Sequence, residues 1–165
     1  MTFVAKTDCI NYTEAELQFY YNAITGDIIN RQTKESCVRI RADGYGVVHI
    51  RRKEYILAHR LAYLLHTGEH AASHIDHIDG ARSNNTWDNL RLASRSENNH
   101  NAKLRKDSKT GVKGVYWSNK DNRYVARIRV NKKSIYGGYF RTLEEAEQAV
   151  LTLRNKLIGE FTNHG

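Results

Sequence analysis

Asp76-His77-Ile78-Asp79-Gly80, followed by Asn89-Leu90 and then by Ser94-Arg95-Ser96-Glu97-Asn98, is the stretch that decides how this 165-residue chain is read. Ser73 to His77 and Leu90 to Ala93 read as two short strands. The loop between them, Gly80 to Asn89, is rich in Asn, Ser and Asp, which bond local backbone and favour turns. Ser94 with Glu97 has the spacing of a capping box, so a helix is expected to begin there. Strand, loop, strand and helix can fold back to bring Asp76, His77 and Asn98 to one point.

Those three side chains suggest a chemistry. Asp76 offers a carboxylate and Asn98 an amide oxygen, both hard donors. Magnesium keeps several waters and takes one or two protein ligands, so such a pair suffices when a phosphate completes the shell. Strand alternation points His77 to the side opposite Asp76. An imidazole with an ordinary pKa near 6.5 is neutral at physiological pH and accepts a proton from water. The expectation is metal-assisted phosphodiester hydrolysis. One divalent ion, Mg2+ or Mn2+, would be held by Asp76 and Asn98, with His77 as the base. Asn89 would hydrogen-bond across the loop to hold His77 in position. No structural zinc is expected, because Cys9 and Cys37 are isolated and no C-x-x-C occurs.

The other histidines call for restraint, since six of the eight lie between His59 and His100. His74 shares strand parity with Asp76 and is a candidate phosphate contact. His59 and Arg60 begin a helix, where phosphate contact and packing are both open. His66 and His70 read as surface residues, His100 as a backbone-positioning or exposed residue, Asn84 and Asn85 as loop-formers, and Asp79 as a residue that stabilises its own turn.

Outward from this centre, Asn22 to Asp27 reads as a turn between strands. Val38–Arg41, Gly46–Ile50 and Glu54–Leu57 are strand candidates, and Asp43-Gly44 and Arg52-Lys53 supply turns. Ala58 to His66 carries an apolar stripe that stops at Gly68. On the C-terminal side, Val112–Trp117, Arg123–Val130 and Ser134–Phe140 read as strands joined at Asp121-Asn122 and Asn131-Lys132. Thr142 with Glu145 is a second capping box. Leu143, Ala146, Val150, Leu153 and Leu157 form a helical stripe ending near Gly159. The class is α+β. A β-rich region with the candidate site spans 1–102 (core 73–102), a basic linker spans 103–110, and a three-stranded sheet on one helix spans 111–165.

The charge divides the same way. Residues 1–102 carry 12 Lys+Arg against 12 Asp+Glu, whereas residues 103–165 carry 14 against 6, so the net +8 lies in the last third. Cations alternating with Tyr, Trp and Val point to a sheet that faces nucleic acid. Lys103, Arg105, Lys106 and Lys109 would track phosphates, a solvated charge run being the alternative. No apolar run is long enough to span a bilayer and no secretory pattern opens the chain, so a soluble intracellular protein is expected. No heptad or dimer face decides between monomer and homodimer.

The central motif resembles the HNH endonucleases, whose site is a ββα-metal motif. His77 is similar to the first His, Asn89 to the middle Asn, and Asn98 to the third position, where Asn replaces His. Asp76 is similar to the carboxylate that precedes the general base. Gly44-Tyr45-Gly46-Val47 and His59-Arg60-Leu61-Ala62 resemble phage members, which implies a phage or homing-type enzyme cutting double-stranded DNA.

Residues 111–161 resemble the AP2/ERF DNA-binding domain, on Lys113-Gly114-Val115, Arg123 to Arg129, and Gly138-Tyr139-Phe140-Arg141-Thr142. That resemblance implies that Lys113, Tyr116, Arg127, Arg129 and Tyr136 face DNA, while Tyr124, Ile128 and Phe140 pack on the helix. Tyr116, Tyr136 and Arg127 depart from the family's usual residues, so base preference is not carried over. Trp117 would either stack on a sugar or pack at the sheet end. The competing readings are a non-catalytic, sequence-specific DNA-binding regulator and an RNA-directed nuclease.

Overall fold

The computed structural model describes residues 4–5, 9–52, 54–102, 104, 107–130 and 133–157. It divides into two compact units, Met1–Ala93 and Ser94–Gly165.

In the first unit the elements are β1 (Val4–Ala5), α1 (Tyr12–Gln18), β2 (Phe19–Tyr21), β3 (Ile28–Asn30), β4 (Arg39–Ile40), β5 (Gly46–Arg51), β6 (Glu54–Leu57), α2 (Ala58–Thr67), β7 (His74–His77) and β8 (Leu90–Ala93). Asn11 starts α1 by accepting the backbone N–H of Glu14 at 2.9 Å. The turn at Asn22 forms where expected. Its Oδ1 accepts from the N–H groups of Ile24 and Thr25, and it joins the antiparallel β2–β3 hairpin. Four strands pair in the order β1-β6-β5-β4, with β1 parallel to β6 and the others antiparallel. The stripe of α2 buries Ala58, Leu61, Ala62 and Leu64, and the helix stops at a left-handed Gly68. With Ile10, Phe19, Ile28, Val48 and Ile56 these residues form one core. Each fully buried Ile or Leu contributes roughly 1.5–3 kcal/mol.

β7 and β8 pair antiparallel, with Asp76 opposite Arg91 and His77 opposite Leu90. Alternation puts Asp76 and His77 on opposite faces, yet Ile75, Asp76 and His77 are all buried. Both faces of β7 are therefore covered. The charge buried on one face has its partner across the ladder, since Nε and Nη2 of Arg91 both donate to Oδ2 of Asp76 at 3.0 Å.

The second unit contains α3 (Arg95–Asn101), β9 (Val115–Ser118), β10 (Arg123–Val130), β11 (Lys133–Phe140) and α4 (Leu143–Leu157). Ser94 and Glu97 form the expected capping box on α3. The strands make one antiparallel sheet in the order β11-β10-β9, with a bulge between Ala126 and Arg127. Val115, Ala126 and Ile128 pack on Ala146 and Val150 of α4, with Tyr124, Phe140, Leu143 and Leu153 around them. Thr142 and Glu145 exchange side-chain-to-backbone bonds at the head of α4.

One position of the α4 stripe differs from expectation. Leu157 is 40% exposed, and Arg154 is buried instead. Residues 146, 150 and 154 repeat at i, i+4, so they continue one face, and an arginine's alkyl stem fills an apolar slot. The Arg52-Lys53 turn is described only at Arg52, and the Asn131-Lys132 turn and the stop at Gly159 lie outside the described residues.

Arg91→Met is expected to lower stability by about 3–5 kcal/mol, because it leaves Asp76 buried without its guanidinium. Urea unfolding checks this, with the Asp76→Leu/Arg91→Met double variant expected to regain most of the loss. A single variant as stable as the parent would show that the pair does not matter.

Candidate active site

His77 ends β7 and is 5% exposed. Nε2 lies 3.2 Å from Oδ1 of Asn85, while Nδ2 of Asn85 donates to the Ser83 carbonyl at 3.2 Å. That second bond fixes the amide with its oxygen toward the ring. Nε2 must then carry the proton and donate, which leaves the lone pair on Nδ1. The His59 ring meets His77 edge-on at 5.2 Å and 89°. Tyr45 lies against both rings, at 5.6 and 6.2 Å, and carries the Arg82 guanidinium 4.8 Å above its own ring.

This enclosure disfavours charge. Burial lowers the pKa of His77 below the ordinary range, outweighing the opposite pull of Asn85, Asp79 and Asp76. For His59, burial, then His77 and Arg60, lower it to about 3. Both rings are neutral at pH 7.

The loop that holds Asn85 is itself anchored. Tyr21 donates its hydroxyl to the Asn85 carbonyl at 2.7 Å, and the N–H of Trp87 donates to the carbonyl of Ala23 at 2.9 Å. Gly26, at φ 77°, packs directly beneath, where a Cβ would meet Thr86 N at 2.6 Å and Asn85 C at 2.7 Å. Only glycine allows that approach.

Asn89 bonds across the loop as expected, but to Asp79 in the turn after β7 and not to the His77 ring. Its Nδ2 donates to Asp79 Oδ1 at 3.0 Å and to the Asn84 carbonyl at 2.8 Å, and its Oδ1 accepts from the Asp79 N–H at 3.0 Å. Asn89 thus builds the turn after β7, and Asn85 orients the ring. Asp79 serves that turn as expected. Slight burial pushes its pKa up, but bonds from Asn84, the Ala81 N–H and Asn89, with His77 nearby, hold it below the usual range.

His59 and Arg60 sit at the start of α2. The burial of His59 supports the packing role, and its Nδ1 has no hydrogen-bond partner among the described residues. Arg60 donates to the carbonyls of Ala71 and Ser73, which tethers the chain entering β7. His74 is exposed. Asn98 lies half-buried on α3, in the second unit. Among the described residues, no group of three or more His, Cys, Asp or Glu side chains could hold a metal ion.

In the second unit, Tyr116 and Tyr139 flank Val125 on the sheet face turned from α4, and Tyr136 stands opposite Arg127. Tyr116, Arg127, Arg129 and Tyr136 are exposed there, with the Arg127 guanidinium 5.0 Å above the Tyr116 ring. Tyr139, which the sequence reading passed over, is 54% exposed on the same face. Trp117 pairs with Tyr124 on the α4 side, edge-to-face at 4.8 Å, and is 41% exposed.

Lys113 is not displayed on that face. Its Nζ donates to the His100 carbonyl at 2.6 Å and to the Ala102 carbonyl, which ties it to the end of α3. Burial and then Arg154 lower its pKa to about 8. Lys103, Arg105 and Lys106 lie outside the described residues.

The depressed pKa of His59 makes the first unit acid-sensitive. The unfolded chain takes up a proton near pH 6.5 and the folded chain only near 3, so stability is full above 6.5 and declines as pH falls between these values. At pH 5 the loss from this one group is about 2 kcal/mol. His59→Phe is expected to flatten that part of the stability–pH curve in urea titrations. An unchanged acid slope would exclude His59 as its source.

Residues 57–100 match a family profile described as HNH endonuclease, a span that runs from the end of β6 into α3. Protein 3.8 of Escherichia phage T7 is 35% identical over 88 residues, which is 53% of this chain and 72% of that protein. The solved structure described as "DNA binding and cleavage by the HNH homing endonuclease I-HmuI" aligns with a TM-score of 0.45 and 23% identity, covering 56% of this chain and 55% of that one. With the paired strands, Asn-rich loop and capped helix all inside the matched span, the chain belongs to the family of phage T7 Protein 3.8 and carries an HNH endonuclease domain at residues 57–100.

Proposed function

We propose that this chain is a metal-dependent endonuclease that hydrolyses phosphodiester bonds in double-stranded DNA, by nicking or double-strand cleavage, of phage or homing type. The observation that carries the reading is the His77 ring. It is neutral, its Nε2–H is held by Asn85, its lone pair is on Nδ1, and it lies inside the matched HNH span. Such an imidazole is prepared to take a proton from water. The phage relative supports a phage setting, in the host cytoplasm, and no helix of the described residues is long and apolar enough to cross a membrane.

Asp76 and Asn98 are the proposed ligands of one divalent ion, Mg2+ or Mn2+. The donor set fits a hard cation, because a carboxylate oxygen and an amide oxygen leave most of the shell to water and phosphate. When bound, such an ion neutralises charge on the phosphate and eases departure of the 3′ oxygen. Arg91 balances the buried carboxylate of Asp76 and fixes its rotamer. Asn85 fixes the tautomer of His77, and Asn89 with Asp79 fixes the turn after it. The nuclease residues belong to 1–102. Residues 103–110, with Lys103, Arg105 and Lys106, would follow the phosphate backbone, and His74 offers a further exposed phosphate contact.

Residues 111–165 are the proposed DNA-anchoring part, of AP2/ERF type. Tyr116, Arg127, Arg129 and Tyr136 would be laid in the major groove, where a β-ribbon fits. The exposed aromatic and basic face of the sheet supports this.

His77→Ala is expected to abolish cleavage of supercoiled plasmid in magnesium or manganese while duplex affinity stays near the parent's. Undiminished cleavage by the purified variant would remove His77 from the mechanism. Because burial lowers the pKa of His77, the acid limb of the parent's pH–rate profile is expected to fall below pH 6.5, not at or above it.

A further inference from the structure

Arg82 lies in the loop between β7 and β8, exposed and yet held. Its Nη1 donates to the Asp43 carbonyl at 2.9 Å, and its guanidinium stands 4.8 Å over the Tyr45 ring. The same ring lies 6.2 Å from the His77 imidazole, centre to centre. One tyrosine thus packs on the proposed base and seats a cation. Gly46 sets how closely β5 approaches the start of α2, since a Cβ there would meet Val38 Cγ1 at 2.8 Å and Ala58 Cβ at 3.0 Å. Tyr45, next to it, meets the His59 ring at 5.6 Å.

Asp43 gives Arg82 its backbone carbonyl, while its carboxylate bonds elsewhere. Oδ2 pairs with Arg41 at 3.0 Å, and Oδ1 accepts the Tyr45 N–H at 3.3 Å. Asp79, at the head of the same loop, is likewise engaged by Ala81, Asn84 and Asn89. Arg82 is therefore fixed by a neutral carbonyl and a ring. The ring contact uses no N–H donor, and the carbonyl takes one arm of a planar fork. Such a guanidinium stays charged and is already ordered before a ligand arrives.

We propose that Arg82 is a substrate-binding residue of the hydrolytic site and takes a backbone phosphate of the strand presented to His77. The assignment rests on the nuclease reading above. Arginine recognises phosphate through paired, charge-assisted N–H bonds, and this one stands a single ring away from the base. A phosphate seated there sets the depth and register of the strand, so that one bond and not its neighbour meets His77. The stretch Gly44-Tyr45-Gly46-Val47 thereby acquires a role, because it seats the arginine that the loop after β7 carries.

The test uses the full chain. A short DNA duplex is titrated in chelator at several salt concentrations, and supercoiled plasmid is cut in magnesium. Arg82→Met, which keeps much of the stem, is expected to lower the log–log salt slope by about 0.9. It is expected to slow cleavage by about 10- to 100-fold. Arg82→Lys keeps a point charge, so the slope is expected to return to the parent's and the rate only in part. Arg41→Met loosens the Asp43 turn from its other side and is expected to leave slope and rate near the parent's. If Arg41→Met reproduces the loss, or Arg82→Met slows cleavage with the slope unchanged, Arg82 is a staple of the turn and the proposal falls. A parent that cuts, beside an Arg82→Met that cuts and binds equally well, also overturns it and leaves the nuclease reading intact. A parent that binds duplex without cutting, with the slope still reduced in Arg82→Met, sinks the nuclease reading and keeps Arg82 as a phosphate contact.

Discussion

Two imidazoles packed edge to face inside a protein can both stay neutral, or the fold must accommodate a buried charge. His59 and His77 are held in this way, with Tyr45 closing the side. Neutrality is what a proton acceptor at pH 7 requires, so the packing that stabilises the first unit also sets the chemistry of His77. The remaining freedom is which nitrogen carries the proton, and a single amide settles it. Asn85 is oriented by Ser83, its loop by Tyr21 and Ala23, and the approach of that loop by the missing side chain of Gly26. A turn between β2 and β3 thereby decides the tautomer of a residue fifty positions later.

Charge is handled differently in the two units. In the first, the buried Asp76 is matched by Arg91 directly across the ladder, and the unit's sequence is near neutral. In the second, cations are gathered on one sheet face and around one cavity, and the Arg127 guanidinium rests on an aromatic ring. Such a contact lowers the cost of holding like charges together. A chain built this way separates a charge-balanced region from a cationic one, whose affinity for a polyanion should fall steeply with salt.

Much of this was legible in the sequence where a local rule applied. The Asn22 turn, the Gly68 stop, both capping boxes, the pairing strands around the site and the three-strand sheet on a helix all follow from neighbouring residues, and each forms at or within a few residues of its expected place. Asn89 and Asn85 show where local rules end. Both are asparagines in one turn-rich loop, and only the tertiary path of that loop assigns the ring to Asn85 and the turn to Asn89. Arg91 was invisible as the partner of Asp76 because strand register, not sequence spacing, brings them together. Leu157 and Arg154 were exchanged because apolarity ranks leucine first, whereas an i, i+4 face and a long alkyl stem favour the arginine. Lys113 was carried to the DNA-facing side by the AP2/ERF resemblance, whereas the strand itself begins two residues later, at Val115.

The central claim, a neutral His77 with its proton on Nε2 and its lone pair on Nδ1, is open to direct observation. The measurement is the pair of imidazole 15N chemical shifts of His77 in the full chain at pH 7, in chelator, assigned through the ring protons. A protonated-type shift at Nε2 with an unprotonated-type shift at Nδ1 is the expected result. An imidazolium pattern, or the proton on Nδ1, would contradict the Asn85 bond as drawn and with it the assignment of His77 as the base.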